Sequence, residues 1–333
     1  GPMLKALVTG GAGFLGSAIV RELLSREAEV RVLALPNEPL DNLEGASVEV
    51  IRGNVLSPKD ALSACAGMDV VYHCAAIYKD YMVDPSPMYQ VNMRGTFNVL
   101  EAARRSSVGK VVYTASVVAL GRPEEGELAD ESTAYEAWDL NFHYSRSKHL
   151  SMLTALDFAN WGLDVRVVCP AVVLGPGDIS PTPSGKLIIN ICRGKAPAYT
   201  RGGFCYVDVR DAAKVHVLVA EKGKAGQVYV ASGHNLDNET FNLAVIEASG
   251  RNLPRPHRVP GFVAQAALSG LNFATTRAGR EPEVTREYMS YALKPGYFDN
   301  AKAVRELGAT FRPFEETLRD AIAYFESRGL LRA

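Results

Sequence analysis

The chain opens on an apolar run, residues 4–9 (LKALVT), and continues into a segment where Phe14, Leu15, Ile19, Leu23 and Leu24 recur at helical spacing. That pattern predicts a short buried strand followed by an amphipathic helix over 14–26. Further runs of strand length lie at 29–34, 48–51, 70–73, 110–114 and 165–169, with helical stretches such as 88–106 between them. Strands alternating with helices predict an α/β protein on a doubly wound parallel sheet, whose ligands bind at the carboxyl ends of the strands. From about residue 174 the alternation weakens, and prolines and glycines gather in GPGDISPTPSG (175–185). A smaller, mainly C-terminal substrate-binding part is expected to begin there, with residues 205–210 and 227–231 returning to the sheet as strands. No internal repeat, low-complexity tract or long linker breaks the pattern.

Between the first strand and the first helix, TGGAGFLG places Gly10, Gly13 and Gly16 at a spacing of three. A tight turn needs a residue without a β-carbon at Gly10, close approach of a ligand's phosphates needs another at Gly13, and close helix-on-strand packing needs a third at Gly16. The helix N-terminus then points its free amides at a pyrophosphate. A glycine-rich turn can also simply join a strand to a helix; the alternation around it is what favours a dinucleotide.

Composition and charge narrow the partners. With 333 residues, 47% of them hydrophobic, the chain can bury a full core in one large or two ordinary domains. Its net charge of −1 supplies no long-range field for nucleic acid or an anionic membrane, so a small-molecule substrate held by local chemistry is expected. Cys65, Cys74, Cys169, Cys192 and Cys205 are scattered without a CxxC pair, and no His/Cys cluster has metal-ligand spacing. A reducing compartment and no structural metal are expected. Gly1-Pro2 ahead of Met3 reads as a tag-cleavage remnant, and neither a leader pattern nor a run of 18 apolar residues follows, so a cytoplasmic, non-spanning protein is expected. The stretch VPGFVAQAALSGLNFA (259–274) is apolar enough for a buried helix but falls short of the ~20 residues needed to cross a bilayer. It reads either as ordinary packing of the smaller domain or as a lid or shallow membrane contact.

Candidate chemistry lies in FHYSRSKHL, where Tyr144 and Lys148 are four apart and share a helix face. Ser116 closes the strand KVVYTAS, at a carboxyl end, and Asn92 lies in YQVNMRGT at the entry to a helix. A tyrosine with an ordinary pKa near ~10 is a poor acid–base group at neutral pH unless a cation stabilises its phenolate, which Lys148 would do. For Ser116 the alternative role is a hydroxyl bonding local backbone, and for Asn92 a helix cap.

With these motifs in order, together with HCAA (73–76) and RVVCPAVVLGPG (166–177), the chain resembles the extended short-chain dehydrogenase/reductase superfamily over nearly its whole length. Within it the chain is most similar to the dihydroflavonol reductase and 3β-hydroxysteroid dehydrogenase branch, and especially to hopanoid-associated sugar epimerase-like proteins. DISPTPSGKLI (178–188), RGKAPAY (193–199) and YVDVRDAA (206–213) carry that closer likeness. The resemblance implies a Rossmann domain binding NAD(P) over 1–173 plus about 205–232, and a substrate-binding part over 174–204 and 233–333. It also implies Tyr144, Lys148, Ser116 and Asn92 as catalytic, with Asn92 holding a relay water and Lys148 on the nicotinamide ribose. The cofactor would lie on Gly10, Gly13, Phe14, Leu15 and Gly16, and further along the chain on Leu35, Asn54, Val55, Ala75 and Ala76. Pro170, Val172 and Val173 would stand beside the nicotinamide. His73 is assigned to packing and backbone support, and His143 and His149 to the periphery of the Tyr-Lys helix. A homodimer through helices near 92–106 and 144–160 is expected from relatives.

The cofactor's phosphate state is open. NAD-binding members carry an acid at the end of the second strand and NADP-binding members an arginine nearby. Here those positions are Ala34 and Leu35, and Asn54 stands where an adenine-contacting Asp is usual. The branch tips the expectation to NADP over NAD. Family epimerases clamp a second pyrophosphate with an arginine just before the YVDD-like segment; in TRGGFCYVDV that position is Gly202, with Arg201 one place early. Tyr78, Tyr81, Met82, Leu187, Ile188 and Phe204 instead suggest an apolar or ring-bearing substrate. An oxidoreductase interconverting a carbonyl and a secondary alcohol is therefore the first expectation, a nucleotide-sugar epimerase or dehydratase the second, and a non-catalytic dinucleotide-binding protein the third.

Overall fold

The computed structural model describes residues 2–77, 84–136 and 142–332. In chain order the first half runs β1 (Lys5–Thr9), α1 (Phe14–Ser25), β2 (Glu29–Ala34), β3 (Glu49–Arg52), α2 (Pro58–Cys65), β4 (Val70–His73), α3 (Ser86–Tyr89), a π-helical turn (Gln90–Gly95), α4 (Thr96–Arg105), β5 (Lys110–Thr114), α5 (His143–Asn160) and β6 (Val165–Pro170). The second half runs β7 (Val172–Leu174), α6 (Pro183–Cys192), β8 (Ala198–Tyr199), β9 (Gly203–Asp208), α7 (Val209–Lys222), β10 (Val228–Ala231), β11 (His234–Asp237), α8 (Asn238–Ser249), β12 (His257–Arg258), α9 (Gly261–Arg277), α10 (Arg286–Ala292), α11 (Ala301–Leu307) and α12 (Phe314–Ser327).

Seven strands form one sheet in the order β10-β6-β5-β4-β1-β2-β3, and every pairing in it is parallel. Side chains alternate across it as the two-residue period of a strand requires. Leu7, Leu33, Val71, Val111 and Val167 enter a core with α2, α4 and α5, while Ala6, Val8, Val32, Tyr72 and Val112 enter one with α1 and α7. This is the doubly wound arrangement of a Rossmann fold. The chain builds outward from β1 through β2 to β3 and then returns to β4 on the other side, so the crevice for a ligand opens above the β1 and β4 ends. A third core gathers Ile188, Tyr206, Phe241, Phe314, Leu318 and Phe325 from α6, β9, α8 and α12.

Three expectations need correction. Residues 205–210 do not rejoin the main sheet: β10 already occupies the free edge of β6, pairing Val228 with Val167, so β9 pairs instead with β7 and β11 in a separate three-stranded sheet. It ends at Asp208, whose Oδ1 accepts the Arg210 amide at 2.8 Å and starts α7. The helix read over 88–106 runs without a break from Ser86 to Arg105 but is not α throughout: it winds as a π turn at Gln90–Gly95, where Gly95 lies so close to the β3–α2 loop that a β-carbon on it would stand 2.7 Å from Val55 Cγ2. The apolar stretch near 259–274 is helical, as α9, but not one of its residues is buried.

Candidate active site

The glycine turn meets the demands of a dinucleotide cradle. Gly10 has φ +65°, and a β-carbon there would lie 2.9 Å from the Ala75 amide nitrogen; one on Gly16 would lie 2.0 Å from the Gly10 carbonyl oxygen. Gly13 caps α1 with no side-chain hydrogen bond, and no acid stands in the first turn. The orphan amides of α1, with the positive end of its dipole, thus open onto the crevice between β1 and β4, the donor set a pyrophosphate fits. Phe14 and Leu15 line the cavity described below. Leu35 follows β2 in an exposed position, and Asn54 accepts the Leu56 amide on its Oδ1 at 2.9 Å. Arg52, which sequence patterning passed over, stands opposite Ala34 in the sheet register and donates to the Leu35 and Glu38 carbonyls at 2.8 and 2.7 Å.

Beside the turn a buried polar network fixes the backbone. Thr9 Oγ1 receives the Cys74 and Ala75 amides at 3.0 and 3.2 Å, which leaves its own hydrogen for His73 Nδ1 at 2.7 Å. His73 Nε2 then donates to Thr96 Oγ1 at 3.1 Å, and Thr96 Oγ1 to the Asn92 carbonyl at 2.7 Å. The network sets the tautomer. Burial, with the Lys148 charge nearby, lowers the His73 pKa to about 3, so the ring is neutral and its bonds are structural. Asn92 is equally committed: its Oδ1 accepts the Ile77 amide at 2.8 Å, and its Nδ2 donates to the Ile77 carbonyl at 3.0 Å and Ser147 Oγ at 3.1 Å. It sits inside the π turn rather than at a helix cap. His143 Nδ1 bonds the Tyr89 hydroxyl at 2.9 Å, and His149 stacks on Tyr135 with ring centroids 4.0 Å apart.

α5 carries Tyr144 and Lys148 one turn apart. Lys148 is buried, and Nζ donates to the Thr114 carbonyl at 2.9 Å. Burial pulls its pKa down from 10.5 to about 8, against the opposing pull of Cys74 and Cys169. Ser116 accepts the Val118 amide on Oγ at 3.2 Å, capping a short 3₁₀ turn, and its hydroxyl hydrogen is left for another acceptor. Ser116 and Tyr144 share the wall of a cavity of about 380 Å³.

That cavity also takes Val172, Val173, Leu187 and Phe204, whereas Ile188 turns away into the third core. Tyr78, Tyr81 and Met82 lie outside the described residues. Phe142, Tyr206, Tyr288, Tyr291 and Phe298, which no sequence pattern marked as site residues, also line the cavity. The β-bridge between Phe204 and Gly296 draws the late segment onto β9, a contact that no local pattern announces. The one charged side chain among the described lining residues is Arg122, whose guanidinium carbon lies 3.7 Å from the Tyr291 ring centroid. Gly202, at φ +109°, cannot carry a side chain without strain: a β-carbon would stand 2.4 Å from the Ala292 carbonyl oxygen. Arg201 pairs instead with Glu125 at 2.6 Å on the surface.

Fold and cradle together define a dinucleotide-dependent Rossmann enzyme. Residues 6–232 match the NAD dependent epimerase/dehydratase family, and the chain belongs to that family as an oxidoreductase that uses a nicotinamide dinucleotide. A protein of Synechocystis sp. provisionally assigned as a dihydroflavonol 4-reductase is 32% identical over 98% of this chain and 95% of its own. Sterol demethylase protein B of Methylococcus capsulatus is 29% identical over 98% of this chain and 100% of its own. The crystal structure of gox2253 superposes with a TM-score of 0.88 at 32% identity, covering 98% of this chain and 99% of the other.

Proposed function

We propose that the protein interconverts a carbonyl and a secondary alcohol on an apolar, ring-bearing substrate. The observation that carries this reading is the lining of the cavity: Phe142, Phe204, Tyr288, Tyr291 and Phe298 face a space with Arg122 as the one charged side chain among the described residues. A nucleotide sugar would bring a second pyrophosphate, and the position from which family epimerases clamp it is Gly202, where the backbone leaves no room for a side chain. Relatives named for flavonoid and sterol chemistry, at 32% and 29% identity, point the same way.

In this reading the nicotinamide, when bound, supplies or accepts the hydride. Tyr144 gives the substrate oxygen its proton, and Ser116, with its Oγ lone pair engaged by Val118, donates its hydroxyl hydrogen to the same oxygen. Lys148 lowers the cost of the Tyr144 phenolate left behind, and its depressed pKa, about 8, lets it change charge near working pH. Asn92 is a positioning residue, holding the Ile77 end of the loop after β4 against α5. For the cofactor we favour NADP: no carboxylate stands at Ala34 or Leu35 to accept a ribose 2′-hydroxyl, and Arg52 supplies a cation at that end of the sheet.

The test is turnover with NADPH and with NADH against steroidal, flavonoid and aliphatic ketones and UDP-sugars. Net oxidation of the cofactor by a ketone supports the reading. Inversion of a UDP-sugar with no net oxidation overturns it in favour of epimerisation, and tight cofactor binding with no turnover of any of them would point to a non-catalytic protein.

A further inference from the structure

Helix α9 is inside out. Its partly covered stripe runs through Gly261, Ala264, Gln265, Leu268, Asn272 and Thr275, at the i, i+3, i+4, i+7 spacing of one helix face. The bonds that tie this stripe down are polar. Gln265 Nε2 donates to the Arg286 carbonyl at 3.3 Å and to Ser290 Oγ at 3.0 Å, and Asn272 Nδ2 donates to the Val284 carbonyl at 2.9 Å. Outside this stripe Phe262 and Phe273, about 20° apart around the helix, are 79% and 66% exposed, and Val263 and Leu271, further round, are 42% and 63% exposed. A helix stabilised only by packing on its own core would reverse this arrangement.

Charge indicates what covers that face. Residues 251–280 hold five arginines and no Asp, Glu or Lys, in a chain whose net charge is −1. Arg251 is bound to the Cys192 and Leu331 carbonyls, and Arg258 lines a cleft with Asp237 and Glu239. Arg255 is exposed ahead of the helix, Arg277 on its last turn and Arg280 just beyond it, before the acids Glu281 and Glu283 begin. An apolar centre with cationic margins complements an anionic bilayer surface. A second copy of the chain, paired symmetrically through this face, would instead bring like arginines together.

We propose that α9 docks the protein on membranes containing anionic phospholipid, its Phe262–Phe273 face entering the boundary between headgroups and acyl chains. The helix lies on the surface, since no helix among the described residues is long and apolar enough to cross a membrane. Its anchor point is α10, which contributes Tyr288 and Tyr291 to the cavity, so docking brings lipid next to the wall of the substrate site. The proposal stands on the surface of α9 and does not depend on the reaction proposed above.

The test is co-sedimentation of the full-length protein with vesicles of phosphatidylcholine alone and of phosphatidylcholine with phosphatidylglycerol, alongside cofactor titration and light scattering. The wild type is expected to bind the anionic vesicles about tenfold more tightly than the neutral ones. Phe262→Glu with Phe273→Glu is expected to weaken that binding at least about tenfold with cofactor affinity unchanged, and Arg277→Ser with Arg280→Ser to erase the preference for anionic lipid. A wild type that stays in the supernatant, or a glutamate variant that sediments equally well, overturns the proposal. So does a wild-type dimer that the glutamate variant splits without any lipid binding, which would give the face to a second copy. Failure to reduce any ketone leaves the sedimentation result untouched.

Discussion

Replacing Lys148 by methionine separates the chemistry of the site from its contribution to the fold. Lys148 is 3% exposed as a residue, its ammonium donates to the Thr114 carbonyl at 2.9 Å, and burial pulls its pKa from 10.5 to about 8. At about 1.4 kcal/mol per decade, the fold disfavours the charged form by roughly 3 kcal/mol at neutral pH. The sign follows from the proton count: between about pH 8 and 10.5 the unfolded chain holds this proton more tightly, so wild-type stability rises with pH across that window. Methionine removes the penalty but leaves the Thr114 carbonyl without its Nζ partner, at a cost of about 1–3 kcal/mol. The two effects nearly cancel. Unfolding free energy near pH 7 is therefore expected within about 2 kcal/mol of wild type, with this rise toward alkaline pH abolished. Turnover has no such compensation: unassisted by a cation, Tyr144 loses acid–base catalysis worth about 10²–10⁴-fold. Urea unfolding near pH 7 and above pH 9, with steady-state turnover on the same preparations, reads both quantities. Turnover retained within about tenfold would refute the role given to Lys148, and a stability loss beyond about 4 kcal/mol would make it a structural residue first.

Three further substitutions probe the cradle, the proton path and the cavity. Ser116→Ala is expected to cut kcat about ten- to hundredfold with dinucleotide Kd unchanged in a fluorescence titration; equal losses in both would mean that its bond to the Val118 amide is its whole role. Gly16→Ala, whose β-carbon would sit 2.0 Å from the Gly10 carbonyl oxygen, is expected to abolish dinucleotide binding and lower stability by about 1–3 kcal/mol, and intact binding would contradict the account of the turn. Tyr291→Ala removes a cavity wall and the ring under Arg122; KM for a bulky ketone is expected to rise about tenfold with kcat nearly unchanged, and an unaltered KM would place the substrate elsewhere.

Much of this arrangement was legible in the chain because it is local. The strand runs at 29–34, 70–73 and 110–114 coincide with β2, β4 and β5, since a parallel strand buried on both faces writes itself as a continuous apolar run. Tyr144 and Lys148 could be paired from a spacing of four. What patterning missed depends on distant contacts. Whether β9 pairs with β6 or with β7 is decided by β10 taking the β6 edge first. Phe142, Tyr288 and Phe298 reach the cavity through packing that no short window records. The stretch holding α9 read as apolar enough for burial, yet it is exposed, because hydropathy alone does not say what a helix will find to pack against.

The most direct test of the central claim is to follow a deuteron from NADPH deuterated at both C4 positions during reduction of a ring-bearing ketone. One deuteron is expected on the carbinol carbon of each product alcohol, with oxidised cofactor accumulating in equal amount. Unlabelled product, or a nucleotide sugar inverted while the cofactor keeps its oxidation state, would contradict it.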